Sequence, residues 1–433
     1  MKKVAITTLG CKTNQFESAA MTEALQKDGF CIVPFTDPAD IYIINSCSVT
    51  AKTDAESRRL IRKGMKQNPS ARIVVTGCYA QLSAAEILDL GVHLVIGNSE
   101  KRDLVRILRE ADGEPRALVG DISEQQSEDG LALETFAEHT RAFLQVQNGC
   151  NASCAYCIVP KARGRSRSVA PERVLEGVAA FAAKGFREVV LSGIHLGAYG
   201  LDLSPATDLL ALLKEIEKQG VIGRLRIGSV EPTEMTPELI SFVTASPIVC
   251  QHLHIPLQSG SDAVLERMNR GYEKALFREV TESLAQSSPD ICIGADVIAG
   301  FPGESDEEFE EGYTFLESLP LAYLHVFPFS SRPGTPAATM KPQVPAATIK
   351  ERALRLRQLS DRKKESYYRS FLGRTVQVLI QKEQKGVRGL SRNYIPVQIE
   401  GVEPPQNSEV SVLVTRVQGD HLVGKVVTVS LHA

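Results

Sequence analysis

The feature that most constrains this chain is a recurring unit: an apolar, β-branched run, then a polar loop, then an amphipathic stretch. Three such units open the sequence, with "VAITTLGC", "IYIINSC" and "RIVVTGC" ending in Cys11, Cys47 and Cys78. Parallel strands need a crossover between them, so this alternation predicts an open parallel sheet. Capping pairs are expected at the helix starts, Asn14 with Glu17, Thr53 with Glu56 and Ser83 with Glu86. Open parallel sheets bind ligands beyond the carboxyl ends of their strands. All three cysteines sit at that end, although dozens of residues separate them. Any one of them reads as a small buried residue at a strand end. Three in the same position read better as a shared metal site.

The acidic segment "DISEQQSEDG" (Asp121 to Gly130) has no apolar periodicity. It marks an expected linker over 121–135, after a first domain over 1–120. Six further apolar runs follow: "AFLQVQNG", "EVVLSGIH", "RLRIGSV", "LHIPLQS", "CIGADVIAG" and "YLHVFPFS". Helical patterns separate them, as in "PERVLEGVAAFAAKG" from Pro171. Six βα units over 136–365 predict a partial (βα)6 barrel with its chemistry at the carboxyl ends of the strands. A basic helical stretch from Lys350 to Arg374 comes next, then short strand-like runs with Gly, Pro and Asn turns. These predict a small β-barrel over 366–433, giving an α/β chain with an all-β tail. Such barrels often bind oligonucleotides, but fold alone does not establish it, and a basic helix is as readily a solvated face.

Composition acts by exclusion. No apolar stretch in the 433 residues approaches the length that crosses a membrane. The start, "MKKVAITTLG", lacks the apolar region and cleavage site of a signal peptide. A cytosolic protein with reduced thiols is the expectation, so nine cysteines argue for metal or catalysis rather than disulfides. A net charge of -3 neither demands nor excludes a nucleic-acid partner.

The first barrel strand runs into "NGCNASCAYC", with Cys150, Cys154 and Cys157 in C-x3-C-x2-C spacing. Thiolates on one tight loop can each take one iron of a 4Fe-4S cubane, which leaves the fourth iron open to a small molecule. A closed zinc site would want a fourth ligand nearby, and no further Cys or His occurs before His195. Just beyond, "KARGRSRS" sets Lys161, Arg163, Arg165 and Arg167 at alternate positions. On an extended segment they would share one face and suit a phosphate backbone, with salt bridges inside the barrel as the alternative.

With Tyr156 before its last cysteine, "CNASCAYC" resembles the radical S-adenosylmethionine (SAM) signature. The chain as a whole resembles the radical SAM methylthiotransferase family. "TLGCKTNQFES", "INSCSVT" and "VVTGCYAQ" are similar to its N-terminal motifs. "CIVPKARGRSRS", "LHIPLQSGSDAVLERMNRGY", "DVIAGFPGESDEEF" and "FPFSSRPGTPA" are similar to its radical SAM core, and the tail to its RNA-binding TRAM barrel. The resemblance implies two 4Fe-4S clusters, an auxiliary one on Cys11, Cys47 and Cys78 and a SAM-cleaving one on Cys150, Cys154 and Cys157. It implies SAM contacts at Tyr156, at Gly193 in "LSGIHLGAYG", at Ser229 and Glu231 in "IGSVEP", and at Ile298 and Gly300 in "DVIAGFPGE". Plain packing or turn chemistry is the alternative at each of these. Cys31, Cys250 and Cys292 match no family ligand and are expected in the core, and His195 and His254 stay unassigned.

The form "TLGCKTNQFES", with Lys12 and Gln15, most resembles the branch that methylthiolates carbon 2 of threonylcarbamoyladenosine, just 3′ of the tRNA anticodon. Sister branches take isopentenyladenosine at the same place or an aspartate of a small-subunit ribosomal protein. A non-enzymatic iron–sulfur RNA-binding protein is the alternative from another class. The implied partners are the tRNA anticodon arm, SAM, and an unidentified electron donor and sulfur donor. The substrate base is expected to flip into a pocket, with the basic helix and tail gripping phosphates. Deleting the tail from about residue 370 is expected to weaken tRNA binding while SAM cleavage survives.

Overall fold

The first three apolar runs become the centre of a parallel six-stranded sheet in this computed structural model, which describes residues 1–110, 114–125, 127–128, 133, 140–381 and 386–429. Its strands are β1 (Lys3–Thr8), β2 (Cys31–Ile32), β3 (Ile41–Ser46), β4 (Arg72–Gly77), β5 (Leu94–Ile96) and β6 (Arg116–Leu118). They lie in the order β2-β1-β3-β4-β5-β6. Ile41 and Ile43 of β3 meet Met21, Leu25 and Leu104 on one face, while Tyr42 and Ile44 meet Leu60 and Ile61 on the other. A strand covered on both faces needs apolar residues at every position, which is why these runs do not alternate.

The helix starts differ from the expected capping pairs. Cys11 precedes the helix Lys12–Lys27 without a side-chain cap. Asn14 lies inside that helix, and its amide donates to the carbonyls of Leu9 (2.7 Å) and Ser46 (3.0 Å). Thr50, not Thr53, caps the helix Ala51–Gln67, and Ser83 makes no side-chain cap. Asn14 and Glu17 are drawn into contacts between loops and domains, which outcompete local capping.

A two-residue antiparallel pair, β8 (Gln147–Asn148) with β9 (Arg167–Ser168), follows β7 (Arg141–Gln145). The barrel continues with β10 (Glu188–Ser192), β11 (Arg224–Ile227), β12 (His252–His254), β13 (Cys292–Ala299) and β14 (Tyr323–Pro328). Parallel pairing runs β7-β10-β11 and β12-β13-β14, and single bridges at Leu225–Val249 and Ser229–His254 join the two halves. The result is the expected six-stranded arc, open between β7 and β14. The helix Lys12–Lys27 packs beside β7, and its Phe16 and Ala20 belong to the barrel's apolar core.

The tail forms a closed five-stranded barrel of β15 (Thr375–Gln381), β16 (Val387–Ser391), β17 (Pro396–Glu400), β18 (Glu409–Gln418) and β19 (His421–Val429). It docks against the amino ends of the large barrel's strands. Arg224 pairs with Glu409, Arg392 donates to the carbonyls of Pro247 (2.7 Å) and Gly223 (2.9 Å), and Tyr394 stacks on His252 at 4.1 Å. Residues 126, 129–132 and 134–135 of the expected linker lie outside the described residues. Among the described residues no helix is long and apolar enough to cross a membrane.

Candidate functional site

Cys11 lies three residues beyond β1, and Cys47 and Cys78 directly follow β3 and β4, neighbouring strands of one sheet. Their loops close on one another because of two glycines. A Cβ on Gly10 (φ +99°) would sit 2.8 Å from both Cβ and Sγ of Cys47, and one on Gly77 (φ +96°) would sit 2.2 Å from the Ser46 carbonyl oxygen. Burial pushes the Cys47 thiol up to about 11, and Cys78 and Cys11 push it the same way. The three sulfurs therefore share one electrostatic environment.

The Cys150–Cys157 loop is held by backbone contacts. The Cys150 N–H donates to the Gly164 carbonyl (3.1 Å), the Cys157 N–H to that of Cys154 (3.0 Å), and the Ala155 N–H to that of Met268 (2.9 Å). The Ala337 N–H, from "RPGTPA", donates to the Ala155 carbonyl (2.8 Å). That motif fastens the cysteine loop from the far end of the barrel. Burial pushes the Cys157 thiol up to about 12, and Cys154 and Cys150 add to the rise.

Donors surround these sulfurs. The Ala152 N–H donates to Cys150 Sγ (3.3 Å), and Arg270 Nη1 to Cys154 Sγ (3.3 Å). His195 Nδ1 lies 3.5 Å from Cys150 Sγ, and its Nε2 lies 2.6 Å from Glu234 Oε1. The neighbouring Cys150 sulfur, then the Glu234 carboxylate, raise His195 to about 10, which favours the protonated ring. Arg270 also pairs with Glu231 and approaches Tyr156 Oη at 3.5 Å. Burial lifts the Glu231 carboxyl above its usual range, against the pull of Arg270.

Three thiols per site, with cations and N–H groups aimed at the sulfurs of the second, are a donor set that fits iron–sulfur clusters. Among the described residues, the one set compact enough for a single ion, with ligand atoms all within 4.8 Å, is His254, Asp296 and His325. The cysteine trios are wider than that, as a multi-iron cluster requires.

The expected SAM contacts divide. Tyr156 and Ile298 join Ala155, Met268 and Phe301 in one apolar cluster beside the cysteine loop. Glu231 reaches the same place through Arg270, while Ser229 Oγ lies 2.9 Å from His254 Nδ1. Packing accounts for the missing side chain at the two glycines. A Cβ on Gly193 would meet Gln147 Oε1 at 2.9 Å, and one on Gly300 (φ +77°) would meet Ile349 Cγ1 at 2.4 Å. Of the remaining cysteines, Cys250 and Cys292 are buried as expected and Cys31 is partly buried.

The basic stripe does not form. Val159–Arg163 is a helical turn and Gly164 reverses the chain, so Arg163 and Arg167 point inward while Lys161 and Arg165 stay exposed. Arg163 binds Glu17 (2.7 Å), which also pairs with Lys101, and Arg167 binds Glu128 (3.3 Å). The basic helix Ala346–Arg369 likewise spends much of its charge internally. Arg352 pairs with Glu304, Arg355 with Glu310, Arg362 with Glu317, and Arg369 with Glu365. Sequence reasoning missed Arg270 and Glu234. Arg270 stands within "RMNRGY", but nothing in its spacing points to the cysteines.

The family described as Uncharacterized protein family UPF0004 matches residues 3–97, and the Radical SAM superfamily matches residues 144–316. Threonylcarbamoyladenosine tRNA methylthiotransferase MtaB of Aquifex aeolicus is 40% identical over 92% of this chain and 97% of its own length. Its namesake in Bacillus subtilis is 38% identical over 93% and 91%. The radical S-adenosylmethionine methyltransferase TsrM from Kitasatospora setae shares the fold, with a TM-score of 0.56 at 16% identity over 78% of this chain and 77% of that one. Such identity extends through both cysteine-bearing domains and into the tail, and the chain belongs to the radical SAM methylthiotransferase family, MtaB type.

Proposed function

We propose that this chain is a tRNA methylthiotransferase that places a methylthio group on carbon 2 of threonylcarbamoyladenosine beside the anticodon, working in the cytosol with SAM. The observation that carries the reading is the near full-length identity to relatives named for that activity, joined to two cysteine trios at the carboxyl ends of two parallel sheets. Cys150, Cys154 and Cys157 would hold the SAM-binding cluster, and Cys11, Cys47 and Cys78 the auxiliary one. Domain limits at 1–120, 136–365 and 366–433 belong to the same proposal.

When bound, the clusters and SAM supply the one-electron chemistry that an adenine C–H, neither acidic nor beside a leaving group, does not offer to a polar route. The protein's side chains orient and insulate. Arg270 and His195 stand against the sulfurs of Cys154 and Cys150. Glu231 and Glu234 hold those cations in position. Tyr156 and Ile298, backed by the buried Phe301, form an apolar cluster beside the loop on which an adenine ring would pack.

Anaerobic assay of reconstituted protein with SAM, a strong reductant and either of two tRNAs tests the reading. Digested tRNA bearing threonylcarbamoyladenosine should gain a methylthio mass, and tRNA bearing isopentenyladenosine should not. A gain on the isopentenyl nucleoside alone would move the chain to the sister branch.

A further inference from the structure

Lys12 directly follows Cys11 and opens the helix whose Phe16 and Ala20 lie in the core of the large barrel. Positions 12, 16 and 20 lie close together on one flank of a helix, so Lys12 is directed at the barrel's open side. The side chain is partly buried there and has no hydrogen-bond or ion-pair partner among the described residues. The charges it senses are Arg226 and Arg141, which oppose its own, and Glu188. His252, on the inner face of β12, senses Lys12 in turn, together with Arg226, His254 and His325. Lys12 therefore faces the lumen charges from the β7 side of the barrel.

The acidic groups of that lumen are already matched. Glu188 accepts from Arg224 Nε (2.9 Å) and Arg226 Nε (2.9 Å), and Arg141 lies 3.8 Å away. Asp296 lies 3.1 Å from His254 Nε2 and 3.3 Å from His325 Nδ1. Glu231, above them, is taken by Arg270. An ammonium left without a carboxylate, among acids already paired with other groups, is a place for an anion. A threonylcarbamoyl substituent on the adenine N6 brings one: it ends in a free carboxylate beside a hydroxyl, which a hydrocarbon substituent lacks.

Resting on the substrate reading above, we propose that Lys12 is a specificity-determining residue whose ammonium binds the carboxylate of the substrate's N6 substituent on the β7 side of the barrel lumen. The role belongs to charge and position, so arginine should serve in part and glutamine should not.

Binding of the iron-reconstituted protein to labelled anticodon stem-loop RNA tests this, with the adenosine carrying the threonylcarbamoyl group, its methyl ester, or nothing. The natural chain should bind the free acid roughly ten- to hundredfold more tightly than the ester, the scale of one charge-assisted hydrogen bond. Lys12→Gln, with its iron content confirmed because Cys11 is adjacent, should bind acid and ester alike. Lys12→Arg should keep most of the preference. A Lys12→Gln protein with full iron that still prefers the acid by the original factor would overturn the proposal. A natural chain that prefers acid and ester equally over unmodified RNA would also overturn it, whatever the variants do, and would leave the substrate reading standing. Equal binding of all three RNAs would overturn both.

Discussion

Four groups meet at Arg270: Cys154 Sγ, Tyr156, Tyr272 and Glu231. Burial opposes its charge, yet these neighbours keep it protonated. A fixed cation beside a thiolate ligand stabilises the more negative, reduced form of a bound cluster. Arg270→Gln should therefore retain iron and shift the reduction potential of the SAM-binding cluster to more negative values, read by potentiometric titration followed by electron paramagnetic resonance. An unchanged potential would remove Arg270 from the electrostatic account. Gly77 acts sterically instead. Gly77→Ala forces a left-handed φ and an overlap with the Ser46 carbonyl, and should cost at least about 1–3 kcal/mol while lowering iron at the auxiliary site. The cysteines were legible in the sequence because thiol chemistry and spacing travel with the residue type. Arg270 was not, because its role comes from the Met268–Ala155 backbone contact that brings a distant loop against the cysteines.

The helix Lys12–Lys27 shows how one element joins two sheets. Its Glu17 carboxylate is buried and ties the first domain to Arg163 of the barrel and to Lys101. Burial raises the Glu17 carboxyl, but the two cations outweigh it and hold it near about 2, below the ordinary 4.5. A folded-state value below the unfolded one gives stability that is fully present above about pH 4.5 and is lost as pH falls toward 2. Glu17→Gln leaves two buried cations short of a partner and should cost about 3–5 kcal/mol at pH 7. In urea unfolding of the metal-free chain, the gap between the natural protein and this variant should narrow as pH drops below 4.5. A gap independent of pH would contradict the ion-pair account. At this scale the six barrel strands were legible, since each is an apolar run with its own crossover helix. The first capping pair and the basic stripe were misread for a shared reason. Asn14, Glu17, Arg163 and Arg167 look like local or solvent-facing residues until two sheets are brought together, and then they become the interface.

Across the whole molecule, the tail barrel is also a plug. Tyr394 stacks on His252 and lies 5.2 Å from the Arg226 guanidinium, while Arg226 donates to the Ser391 and Arg392 carbonyls. Removing the tail from about residue 370 would strip partners from buried Arg224, Arg226 and His252, so the clean separation of RNA binding from SAM cleavage expected of that deletion is not what this packing supports. The truncated chain should melt at a lower temperature in calorimetry, and Tyr394→Ala alone should cost about 1–3 kcal/mol. A truncated chain as stable as the full one would show the docking to be incidental. A division of labour between two cysteine trios on two sheets underlies the proposed function. Its most direct test is to quantify 5′-deoxyadenosine and methylthiolated nucleoside together, under anaerobic conditions with threonylcarbamoyladenosine tRNA, in the natural protein, Cys47→Ala and Cys150→Ala. Both products are expected from the natural protein, 5′-deoxyadenosine without methylthio product from Cys47→Ala, and neither from Cys150→Ala. Methylthio product from Cys47→Ala at the natural rate would contradict it.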